Sequence, residues 1–153
     1  MLKLIKAMFV AGALIVALTL PAAAQATRQA TITIEATRLG PIGSFESSGA
    51  FADTGTFEVQ DPVLGGPGPG TFVNVHATET FTGTAGTFTL VRTVRVMWGN
   101  DPFVRTIEGN WAVISGTGAY QDMHANGTIT GTAQGFAPPE LFVLTYAGAT
   151  YGD

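Results

Sequence analysis

Three charged side chains stand on strand faces that are otherwise apolar. In residues 86–98, alternate positions read Phe88, Leu90, Arg92, Val94, Val96 and Trp98. In residues 103–115 they read Phe103, Arg105, Ile107, Gly109, Trp111 and Val113, and in residues 71–81 they read Thr71, Val73, Val75, Ala77, Glu79 and Phe81. Side chains on a β-strand alternate between its two faces, so Arg92, Arg105 and Glu79 each share a face with hydrophobes. A buried charge must find a partner or become neutral, and arginine keeps its proton. The pattern has two readings. One is an Arg–Glu pair that fixes strand register or sits at a rim. The other is a polar anchor in an apolar pocket for the carboxylate or carbonyl of a ligand.

Trp111, Tyr120 and Tyr146 join these charges as candidate ligand contacts. Each supplies a large apolar surface, and the tyrosines add a hydroxyl end; the alternative for each ring is a place in the core. His76 and His124 are the only histidines, without carboxylates at ligand spacing, so no metal site is expected. The chain has no cysteine, which excludes thiolate catalysis, cysteine metal sites and a disulfide scaffold. No serine lies in a G-x-S-x-G elbow, and Ser115 reads as a strand-end residue. Asp122 and Glu108 are an acid and a base in principle, but Glu108 alternates with the apolar face and so points to solvent. No catalytic residue is assigned, and no cofactor is implied.

The elements that position these residues are strands. Thr, Val, Ile and Phe alternate with polar residues, and Gly, Pro, Asn and Asp punctuate them. Sustained apolar recurrence at helical spacing is missing. The pattern predicts about eight strands, near residues 30–37, 43–51, 55–60, 71–81, 86–98, 103–115, 120–132 and 141–151. The run 64–70, Leu-Gly-Gly-Pro-Gly-Pro-Gly, is read as the longest loop and as irregular. Residues 83–86 and 99–102 read as hairpin connections, and Ala137-Pro138-Pro139 as a break before the last strand. Short successive connections imply an antiparallel meander. An eight-stranded up-and-down barrel would close its edges, with a β-sandwich as the alternative.

Residues 111–132 carry the most distinctive run. Gly116 and Gly118 bracket a Gly-Thr-Gly step, read as a bulge or bend that helps the barrel close, and Tyr120 follows. Gly116, Thr117, Gly118, Ala119, Tyr120, Gly127 and Thr128 resemble the G-T-G-A-[YF] motif of the allene oxide cyclase and dirigent barrel superfamily, particularly its small secreted bacterial members. Met123 stands where that motif has Leu, and Asp122 and Ala125 replace two frequent glycines. Ser48-Gly49-Ala50-Phe51-Ala52-Asp53-Thr54-Gly55 is similar to a second, looser feature of the family. The resemblance implies an eight-stranded antiparallel barrel with an apolar cavity, assembled as a homotrimer in many members. It transfers no catalytic residue.

Lys3 and Lys6, the apolar run 8–20 and Pro21-Ala22-Ala23-Ala24 have the order of a secretory signal peptide cleaved after Ala24, which leaves a single domain, residues 25–153. A membrane span is not expected after cleavage, and export to the periplasm or the extracellular space is. Losing both lysines takes the net charge from −4 to −6 and leaves five arginines as the fixed cations. Nothing in that balance suits a nucleic-acid backbone. Three function classes follow: a barrel binding a lipid, terpenoid or aromatic metabolite in its interior, a cofactor-independent cyclase or isomerase acting on such a molecule, and a structural or assembly protein with a filled barrel.

Overall fold

The computed structural model describes residues 30–135 and 139–151. Eight strands follow in order: β1 (Ala30–Leu39), β2 (Ile42–Gly49), β3 (Asp53–Gly68), β4 (Phe72–Gly83), β5 (Thr87–Trp98), β6 (Val104–Gly116), β7 (His124–Gln134) and β8 (Leu141–Tyr151). A 3-10 turn, Gly118–Tyr120, joins β6 to β7. The expected signal peptide, and Ala137 and Pro138, lie outside the described residues.

Each strand pairs antiparallel with its sequence neighbours, and β1 also pairs with β8, from Ala30 opposite Thr150 to Leu39 opposite Leu141. That last ladder joins the two strands that would be edges in a sandwich. The fold is therefore a closed eight-stranded up-and-down barrel in which neither terminal strand is an edge, while Val59–Gly68 of β3 extends past β2 and pairs with β4 alone. In the up-and-down order, the β2–β3, β4–β5 and β6–β7 connections lie at one end, and the other four lie at the opposite end.

Inward positions follow the alternation. Ile34, Leu90, Ile129 and Leu144 are fully buried, each contributing roughly 1.5–3 kcal/mol relative to exposure. A column of aromatic rings fills one half of the barrel. Phe81 stacks between Phe57 and Phe88 at centroid separations of 5.1 and 4.8 Å, and Phe45 meets Phe81 edge-on at 5.2 Å.

The structure corrects five readings near the strand ends. Residues 64–68 are not loop: β3 continues to Gly68 as one arm of a hairpin with β4. Register shifts between Gln60 and Val63 and between Gly65 and Gly68 absorb Pro62 and Pro67, neither of which has an amide proton to give the ladder. Phe103 is exposed and Thr71 lies outside β4, because both stand just before their strands begin, although their carbonyls accept from the Gly135 and Trp98 N–H groups. Tyr120 is in the 3-10 turn and not in a strand. The bulge in this region falls one step earlier, where Thr89 faces Ser115 but Leu90 faces Val113. The Gly-Thr-Gly step is thus a turn at the barrel end, while closure comes from the β1–β8 ladder.

Candidate binding site at the open end of the barrel

A cavity of about 400 Å³ occupies the end away from the aromatic column. That size lies within the range of roughly 300–1,000 Å³ typical of small-molecule sites. Val73, Val75, Val94, Val96, Ile107 and Phe142 supply apolar wall, and Trp98 stands on the same face near the rim. Pro62, Leu64 and Pro69 of the β3–β4 hairpin line it from one side. The hairpin reaches the mouth because β3 runs on past Gln60, the feature missed when residues 64–70 are read as loop.

Four charged residues line this apolar space: Arg38, Arg92, Arg105 and Glu140. Glu79, wholly buried, lies next to Arg92. In the β4–β5 ladder Ala77 faces Arg92 and Glu79 faces Leu90, so the two charges are diagonal neighbours on the inner face. Arg92 Nε is 3.2 Å from Glu79 Oε1, with side chains 5% and 0% exposed. The contact is one of charge: neither atom has a directed hydrogen bond among the described residues. Glu79 Oε2 accepts a 2.5 Å hydrogen bond from the Tyr146 hydroxyl. Burial pushes Glu79 above the ordinary carboxylate range, against the opposing pull of Arg92 and Tyr146. Burial also raises Tyr146 well above 10, so it remains a hydroxyl donor.

Nearer the rim, Arg105 Nη2 is 3.0 Å from Glu140 Oε1 and donates to the Gly135 carbonyl at 3.1 Å. Arg38 forms no salt bridge among the described residues and lies over the Phe142 ring, 4.5 Å from its centroid. Burial lowers its pKa first and the neighbouring Arg92 charge second, yet a guanidinium remains charged. Besides Arg92 Nε, two buried donor nitrogens have no hydrogen-bond partner among the described residues on this side: Arg92 Nη1 and Arg105 Nε.

Of the residues singled out from the sequence, Arg92 and Arg105 line the cavity. Glu79 and Tyr146 lie behind Arg92 and do not line it. Trp111 is buried, meets Tyr146 edge-on at 6.2 Å and donates its indole N–H to the Thr128 carbonyl at 3.0 Å. Tyr120 is not brought to this site. His76 is exposed on the outer face and shares a 2.9 Å hydrogen bond with Thr93, and His124 and Glu108 are exposed too. Arg38 and Glu140 were missed, although a signal existed: the alternations Ile32, Ile34, Ala36, Arg38 and Glu140, Phe142, Leu144, Tyr146 carry both inward.

Tyr120 belongs to the opposite end. Its hydroxyl donates to Asp53 Oδ2 at 2.6 Å. Asp53 also accepts from the backbone N–H groups of Thr54, Thr84 and Ala85 and from the Thr84 hydroxyl. Ser47 Oγ accepts the Asp53 N–H at 3.1 Å. Chiefly through the Thr84 and Tyr120 hydroxyls, the Asp53 carboxyl is held well below its ordinary range. Two glycines permit this. A Cβ on Gly83 would lie 2.1 Å from Asp53 Oδ2, and Gly118, with φ +59, turns the chain so that Tyr120 drops into the barrel. The Gly116–Tyr120 and Ser48–Gly55 motifs therefore meet in space, where Phe51 and Phe88 pack on the Tyr120 ring at 5.5 and 5.0 Å.

No family model, curated protein or solved structure matches the chain.

Proposed function

We propose that this barrel binds a hydrophobic small molecule, of the lipid, terpenoid or aromatic-metabolite kind, in the cavity at its open end. The observation that carries the reading is the contrast within one interior: aromatic rings fill one half, while the other half keeps about 400 Å³ of space with apolar walls and few polar groups. A barrel with a purely structural role would gain stability by filling that space. The resemblance of the Gly116–Tyr120 run to the allene oxide cyclase and dirigent barrels, and the signal-like leader, suit an exported binding protein of this type. The cyclase or isomerase reading ranks below it. Glu140, the carboxylate on the cavity wall, is engaged by Arg105, and Glu79 and Tyr146 lie behind Arg92.

The test is titration with N-phenyl-1-naphthylamine, a neutral apolar fluorophore. Saturable one-to-one binding is expected, with quenching of tryptophan fluorescence through Trp98 on the cavity wall. Val94→Phe, which fills the cavity from β5, should abolish the binding while the fold persists. Absence of saturable binding in the native protein would defeat the reading.

A further inference from the structure

We infer that the ligand is an amphipathic monoanion, an apolar body with one carboxylate-class acid group, bound with that group against Arg92 and Arg38. This rests on the binding reading above and deepens it.

Charge leads to the same conclusion as hydrogen bonding. Arg92 and Glu79 offset each other, as do Arg105 and Glu140. Arg38 is left over, lining the same cavity with an aromatic ring for company. Arginine cannot discharge itself, so an apolar cavity carries one uncompensated positive charge. A cation would add to the repulsion between Arg38 and Arg92, and a dianion would overshoot the surplus. One negative charge neutralises it.

The donors have the matching deficit. A guanidinium presents five N–H donors in a planar fork suited to a carboxylate. Tyr146 takes one oxygen of Glu79, so Glu79 meets Arg92 through the other oxygen alone. Arg92 Nη1 is left buried without a partner, on a side chain 5% exposed that lines the cavity. Leaving such a donor unsatisfied is costly, and an acid oxygen of a ligand would satisfy it. Glu79 and Tyr146 then act as positioning residues: they hold Arg92 at the inner side of the cavity and leave Nη1 without an acceptor. The apolar body would extend from Arg92 along Val94, Val96 and Phe142 towards the mouth.

The experiment compares two probes of nearly the same shape, adamantane-1-carboxylate and the neutral adamantane-1-carboxamide, by calorimetric titration at pH 7 and low salt. The native protein should favour the carboxylate by about tenfold or more. Arg38→Met, which leaves the Arg92–Glu79 pair intact, should remove most of that preference. The double variant Arg92→Met/Glu79→Gln, which removes both charges of the buried pair together and keeps the Arg38 surplus, should weaken the preference by the part that the Arg92 donor supplies. Equal affinity for the two probes in the native protein, or a preference that neither variant weakens, overturns the inference. Binding of neither probe while N-phenyl-1-naphthylamine still binds also overturns it and leaves the apolar pocket standing. Failure of all three compounds removes the pocket itself.

Discussion

At one end of the barrel Asp53 accepts hydrogen bonds from three backbone N–H groups and two hydroxyls; at the other, Arg92 keeps a buried N–H without a partner. Both are ionisable groups enclosed by aromatic or aliphatic side chains. The first is satisfied by the chain itself, with donors from the 3-10 turn, the β4–β5 turn and the start of β3, and every neighbouring ring packs against another. The second is only half satisfied, beside empty space, under a rim where Leu39, Ile42, Leu64 and Phe103 are exposed. A polar group that the fold fully satisfies holds structure together, whereas one left wanting beside a cavity is available to a ligand. Stability is built into the closed end, and the proposed recognition belongs to the open end.

The largest effect is expected from breaking the buried pair on one side only. Arg92→Met strands Glu79 in a site with no solvent exposure, and removing one partner of such a pair typically costs about 3–5 kcal/mol. Arg92→Met/Glu79→Gln, which leaves no unpaired charge, should recover most of that loss, to within about 1–2 kcal/mol of the native protein. Urea denaturation measures both. If the double variant were as unstable as the single, the pair would be a structural member like Asp53, and the division between the ends would collapse.

Much of this division was legible in the sequence. Period-two alternation placed Arg92, Arg105 and Glu79 on inward faces, because a strand leaves a side chain only two directions. The β4–β5 hairpin is local, and it brings Glu79 diagonal to Arg92 through a three-residue turn. Position along the barrel was not legible. Whether a tyrosine lies at the closed end or the open end depends on which turns share an end, so Tyr120 and Tyr146 look equivalent as letters. The Asp53 network was also out of sight, since Tyr120 and Thr84 reach it from 67 and 31 residues away. Residues 64–68 misled for a different reason: their Gly and Pro content describes what a central strand tolerates, and a hairpin arm with register shifts tolerates more.

Next in size are changes at the closed end. Asp53→Asn replaces a carboxylate that accepts every hydrogen bond offered to it with an amide whose NH₂ would face donors, at a cost of about 2–3 kcal/mol. Tyr120→Phe removes one hydroxyl donor and keeps the ring, for about 1–2 kcal/mol. Thermal unfolding reports both. The sharper readout is affinity for N-phenyl-1-naphthylamine, which should stay within about twofold of native in each variant, because separate sites add independently. A large drop in affinity would mean that the closed end also shapes the cavity.

The smallest effect is the dependence of stability on pH, because the two buried carboxylates oppose each other. Asp53 titrates below its ordinary value of 3.8 in the folded protein, so the unfolded chain binds its proton first as pH falls. Its contribution is complete above that ordinary value and is lost as pH drops through the folded one. Glu79 titrates above its ordinary 4.5, so the folded protein binds that proton first. Its contribution is greatest below the ordinary value and is lost as pH rises through the folded one. Between pH 7 and 3 the native protein should therefore show a shallow acid limb. Two substitutions separate the opposing parts in urea titrations at stepped pH. The stability difference between native and Asp53→Asn should shrink as pH falls below about 4. The difference between native and Glu79→Gln should move the other way and favour the native protein increasingly as pH falls. Differences of the same sign for both variants would mean that the two carboxylates sit in equivalent environments, and the contrast between a satisfied end and an unsatisfied one would not survive.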